Sequence, residues 1–141
     1  MKKVKIGDQI WMDKNLDVDT FRNGDPIPYA ETDEEWEVAG ENGEPAWCYY
    51  DNDPENGEKY GKLYNWFAVN TGTLCPPGWH IPTDTEWTIL TNFLGGEEIA
   101  GGKMKSVTGW NTPNSGATNE SGFNGLPGAS RSLNGGFNSI G

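Results

Sequence analysis

His80 is the only histidine in the 141-residue chain, and Cys48 and Cys75 are its only cysteines. A general base working near neutral pH would have to be His80 or a perturbed carboxylate. The spacing offers no Ser-His-Asp set. His80 stands between Trp79 and Ile81 in an aromatic stretch, where a packed, hydrogen-bonded imidazole is the simpler reading. Two cysteines and one histidine cannot complete a structural zinc site. The cysteines themselves admit three readings. They are two buried thiols, or one disulfide closing a loop of about 28 residues and contributing about 3–4 kcal/mol, or a reactive thiol. The third is disfavoured because neither has an adjacent Lys, Arg or His to lower its pKa.

Oxygen ligands are concentrated in Asp51-Asn52-Asp53-Pro54-Glu55-Asn56-Gly57-Glu58. Calcium takes about six to eight such ligands. The segment lacks EF-hand spacing, since Gly57 falls one place late and Lys62 stands where the bidentate Glu belongs. A solvated Asx-rich turn accounts for it, and no metal or other cofactor is expected. A ligand surface is the remaining chemistry. Trp110, Phe123 and Phe137 sit on a Gly-rich stretch together with Asn119 and Arg131. Aromatics on such loops suit stacking against a sugar or a protein, and core anchoring competes as the use of each ring. These five are the candidate ligand-binding residues, and none is assigned a catalytic role.

The elements that would carry them are short. Val4–Ile6 and Gln9–Met12 flank Gly7-Asp8, the signal for a hairpin with a type II′ turn. Thr32-Asp33-Glu34-Glu35 and Thr83-Asp84-Thr85-Glu86 are capping boxes, each opening a helix. The first helix should end at Gly40, and the second should stop at Gly95-Gly96 with Trp87, Leu90 and Phe93 buried. Trp47–Tyr50 reads as a buried strand and the acidic segment after it as a loop. Tyr60, Leu63, Tyr64 and Phe67 follow helical spacing, which predicts a helix near Lys62–Val69. Leu74–Pro82 is held extended by its prolines. Beyond Trp110 the density of Gly and Asn allows only short irregular strands.

Twenty Gly, nine Pro and seventeen aromatic residues describe a loop-rich, ordered fold and exclude a helical bundle. The length suits one domain, 1–141, burying roughly two thirds of its unfolded surface. Eleven of the acids lie in Glu31–Glu58 with no Lys or Arg, most simply a solvated face. A net charge of −11 disfavours nucleic acid and anionic membrane surfaces as partners, and no run approaches the roughly 20 apolar residues of a membrane span, so membrane insertion is not expected. The lysines at the start are not followed by the apolar run of an export signal.

Gly78-Trp79-His80-Ile81-Pro82-Thr83-Asp84-Thr85-Glu86-Trp87 resembles a signature of the Fibrobacter succinogenes major paralogous domain. Ile10-Trp11-Met12, Trp47-Cys48-Tyr49-Tyr50, Tyr60-Gly61-Lys62-Leu63-Tyr64-Asn65-Trp66, Leu74-Cys75-Pro76, Ala117–Phe123 and Gly125-Leu126-Pro127-Gly128 follow the same pattern in order. That family is similar to the C-type-lectin-like superfamily. The resemblance implies an α+β, C-type-lectin-like fold: two helices on a small irregular antiparallel sheet, followed by long Gly/Asn-rich loops. The family pattern usually continues with a Trp-Trp-Ser-Ser-like strand and a closing strand carrying a Cys, so the C-terminal part is expected to be incomplete. The open edge is then expected to be covered by a protein partner or a second copy, because Asn134–Gly141 is too polar to pair well. The resemblance implies a non-catalytic binding or structural module of a virion appendage or cell surface, extracellular, recognising through its loops. A carbohydrate-binding domain is the alternative, with glycan as the ligand. A formylglycine-generating-type enzyme fits less well, because such relatives use cysteines in a region that has none here.

Overall fold

A computed structural model describes residues 2–141, which form two compact units, each discontinuous in sequence. One comprises residues up to Asn15, Pro82–Pro127 and Gly141; the other comprises Leu16–Ile81 and Gly128–Ile140.

In the first unit, β1 (Lys3–Ile6) pairs antiparallel with β2 (Gln9–Met12), with Ile6 opposite Gln9. Gly7 has a φ of +62° and Asp8 a negative one, as the type II′ turn requires. Side chains alternate across a strand. Val4, Ile6 and Trp11 therefore face the core, while Lys3, Lys5 and Ile10 face solvent. Against the hairpin packs α4 (Asp84–Phe93), opened by the Thr83–Glu86 capping box. Leu90 and Leu94 are buried with Ile6 and Trp11. The expected burial of Trp87 and Phe93 is corrected: they are 40 % and 63 % exposed. A two-stranded hairpin covers only a narrow stripe of the helix, and Leu90 and Leu94 fill it. Trp87 lies at its margin, its ring 4.7 Å from that of Trp11. A helix that the sequence did not announce follows, α5 (Glu97–Met104), which buries Ala100. Its interior Gly102 is required for close approach, since a Cβ there would strike the backbone carbonyl of Gly116.

In the second unit, α1 (Asp33–Asn42) starts at the Thr32–Glu35 capping box. It runs past Gly40 and ends at Gly43, which takes the left-handed conformation with a φ of 71°. Strand β3 is only Trp47–Cys48, and it pairs with β4 (Leu63–Tyr64). The acidic segment expected as a loop is a 3-10 turn, Tyr50–Asn52, followed by α2 (Pro54–Tyr60). Asp53 caps α2 by accepting from the Glu55 N–H at 2.9 Å, and Pro54 occupies the first helical position. The single helix expected over Lys62–Val69 is corrected to a strand and a short α3 (Trp66–Val69). Asn65, 8 % exposed, caps α3 and also ties down Ala46 N and Glu44 O. Strands β5 (Gly128–Arg131) and β6 (Phe137–Ile140) pair antiparallel.

Two expectations are thereby corrected. Among the described residues, five α-helices and three two-stranded antiparallel sheets stand where the resemblance implied two helices on one small sheet. The polar C-terminal stretch does pair: Asn134, Gly135 and Gly136 make the turn, and Asn138 lies in the strand opposite Ser130. Ser132 N donates to Gly136 O at 2.8 Å, and the Ser132 hydroxyl bonds Asn134 Oδ1 at 2.6 Å. The strand proper begins only at Phe137.

Candidate functional site

The groups expected to be capable of covalent chemistry are held by the fold in other ways. Cys48 and Cys75 are free thiols, 0 % and 5 % exposed. Burial pushes both thiols up in pKa, against the lowering influence of Arg131 on Cys48 and of Arg22 on Cys75. Neither arginine is near its cysteine in sequence, so only the fold reveals the pairing. His80 is exposed rather than buried in the aromatic stretch. In the acidic segment Asp53 caps a helix, and Asn56 Nδ2 donates to Tyr50 O at 3.1 Å. Among the described residues, no three His, Cys, Asp or Glu side chains are placed to share a metal ion.

The five candidate ligand residues divide between the units. In the first unit Trp110 donates from Nε1 to Gly125 O at 2.9 Å and stacks under the Lys105 ammonium, 4.4 Å from the ring centroid. Asn119 has a φ of 49° and accepts from Asn124 N at 2.8 Å. Phe123 packs edge-on against Trp11, with centroids 5.8 Å apart. In the second unit Arg131 has a fully buried side chain and Phe137 lies against it. The guanidinium donates to Gly135 O, Ala30 O and Asp33 Oδ1 at 3.0, 3.2 and 2.9 Å. Its faces meet the rings of Trp36 and Phe137 at 4.9 and 4.5 Å. A comparable brace holds Lys62, whose 8 %-exposed side chain pairs with Asp17 and lies 4.7 Å from the Trp47 ring. All five candidates thus make their contacts within their own units; the Arg131 side chain is fully buried and the other four residues are half-buried.

A different surface of the first unit is open. A groove of about 470 Å³ is lined by Lys5, Ile6, Gly7, Asp8, Ile89 and Phe93. Ile89 and Phe93 are one helical turn apart on α4 and are 50 % and 63 % exposed. They face the hairpin turn across the groove, and the Phe93 ring lies against Gly7. Sequence reasoning missed this groove because it assigned Phe93 to the core. One signal was available: Phe93 and Leu94 are adjacent on a helix and cannot share a narrow buried stripe.

Comparison with curated proteins and with solved structures yields no match. The model of one protein family does match, over residues 4–141, and thus spans both units and nearly the whole chain. The chain belongs to the family of the Fibrobacter succinogenes major domain.

Proposed function

We propose that the chain is a non-catalytic recognition module on a C-type-lectin-like scaffold, displayed outside the cell on a surface or on a virion appendage. One observation carries the reading most: the late polar loops are long, yet fixed. Trp110 and Asn119 anchor them through the backbone of Gly125 and Asn124, and Arg131 clamps the β5–β6 turn. Loops held from within by a scaffold, with polar groups left toward solvent, are the usual platform for recognition. The small antiparallel strands and the two ten-residue capped helices suit the proposed scaffold. Both thiols are buried with raised pKa, which favours binding over nucleophilic chemistry. A protein partner or a second copy would cover the outer edge of the β5–β6 hairpin, since a two-stranded sheet leaves backbone groups unpaired at its rims. Immunogold labelling of intact source cells and of particles they release tests the placement. Label on an outer surface is expected, and label confined to the cytoplasm overturns it.

A further inference from the structure

We infer that the outer face of the β1–β2 hairpin docks on the outward stripe of α1 in a second copy of the chain. Lys3 and Lys5 pair there with Glu34, Glu37 and Glu41, while Ile10 meets Val38. The inference goes beyond the recognition reading and does not depend on where the protein is displayed.

Strand register fixes what the hairpin presents. Lys5 stands opposite Ile10 and Lys3 opposite Met12, so these four side chains share the face turned away from α4. The two strands contain two lysines and no acid. Lys3 and Lys5 are exposed, and Ile10 is 55 % exposed. The face is a basic row along β1 beside an apolar row along β2. Helical spacing fixes the complementary surface. Glu34, Glu37, Val38 and Glu41 fall at i, i+3, i+4 and i+7, one stripe on the side of α1 away from buried Trp36. All four are exposed, Val38 at 43 %. The stripe is an acidic row with an apolar margin.

The chain does not pair these charges internally. Among the described residues, Lys3, Lys5, Glu34, Glu37 and Glu41 enter no ion pair. Their neighbours are engaged: Asp33 bonds Arg131, and Glu35 closes the capping box. The spacings also agree. Lysines two strand residues apart are about 7 Å apart, and glutamates one helical turn apart have Cβ atoms about 5–6 Å apart. Nucleic acid or an anionic lipid surface would gain two lysines and be repelled by a chain of −11. A second copy brings the matching acids with it. At physiological salt the screening length is about 8 Å, so apposed rows attract while the other charges of the two copies are largely screened. The surfaces are small, so the contact is weak and transient. Hairpin and helix are different surfaces, so the contact is heterologous and each copy offers both halves.

Sedimentation equilibrium of the whole protein at concentrations up to about 1 mM tests the inference. In about 0.15 M salt the average mass should rise above 15.5 kDa with concentration. One variant combines Lys3→Glu with Lys5→Glu, and the other combines Glu34→Lys, Glu37→Lys and Glu41→Lys. Each should weaken association by at least about tenfold, and circular dichroism verifies that both are folded. Mixing them is decisive. The first keeps the acidic stripe and the second the basic face, so the mixture should recover a one-to-one complex that neither forms alone. Salt of about 1 M, where the screening length is about 3 Å, should dissociate the parent. A parent that stays monomeric at every concentration overturns the proposal. Parent association that survives in both variants also overturns it and would place the contact elsewhere, such as the β5–β6 edge. A mixture as monomeric as its components overturns it as well.

Discussion

Replacing Arg131 by Met should cost about 3 kcal/mol of folding free energy, and the figure follows from its surroundings. The side chain is fully buried and donates to three acceptors. Asp33, one of them, is 71 % exposed, so the ion pair itself contributes under about 1 kcal/mol. The larger loss is at Ala30 O and Gly135 O, both in buried residues. Methionine fills much of the volume but donates nothing, leaving two carbonyls short of a charged donor at about 1.5–3 kcal/mol each. Loss of the contacts with Trp36 and Phe137 adds about 0.5–1 kcal/mol apiece. Removing a buried charge recovers several kcal/mol of desolvation and offsets part of this sum. Urea unfolding followed by tryptophan fluorescence is the assay. With a slope of about 2 kcal/mol per M, the midpoint should fall by about 1.5 M. Asp33→Asn should move it by less than about 0.5 M. A loss below about 0.5 M for Arg131→Met, or equal losses for the two variants, would refute the argument that the carbonyls, not the ion pair, hold this side chain.

Three further outcomes are expected. A thiol reagent should modify neither cysteine in the native protein and both after denaturation, because Cys48 and Cys75 are 0 % and 5 % exposed; fast native labelling would contradict the burial. Burial raises the pKa of Tyr64 in the fold, where its hydroxyl donates to Val18 O and accepts from Val18 N. The folded protein thus holds a proton that the unfolded chain releases above its own pKa of about 10. This contribution is complete below that pH and is lost as pH rises toward the folded pKa. Tyr64→Phe should flatten that alkaline decline in a pH series of urea midpoints. Thr32→Ala and Thr83→Ala should each cost about 1 kcal/mol in the same assay, and no change in either would mean the capping boxes are not formed.

What the sequence revealed was local. Each capping box is closed within four residues, and the β1–β2 turn within two, so no distant contact is needed to recognise them. Errors arose where packing overrode pattern. The helical spacing of Tyr60, Leu63, Tyr64 and Phe67 is real, but Gly61, at φ 75° and ψ −152°, breaks the chain direction inside it. Asp53-Pro54 is a sound helix start that the surrounding acids disguised as a loop. Helix α5 has no side-chain cap and two interior glycines, and it exists through the burial of Ala100. The seating of Phe93 on Gly7 joins residues far apart in the chain, which no local pattern encodes.

Each compact unit is assembled from pieces that are remote in the chain, and this sets the order in which synthesis can complete them. The β1–β2 hairpin precedes its core partners Leu90 and Leu94 by more than half the chain. At about 5–20 residues per second, the ribosome leaves Ile6 and Trp11 uncovered for several seconds. The second unit waits longer, because Trp36 has no hydrogen-bond acceptor until Ser132 is made. Neither unit can be cut out as a continuous fragment. Nascent chains stalled before residue 90 would therefore expose both apolar faces and depend on chaperones.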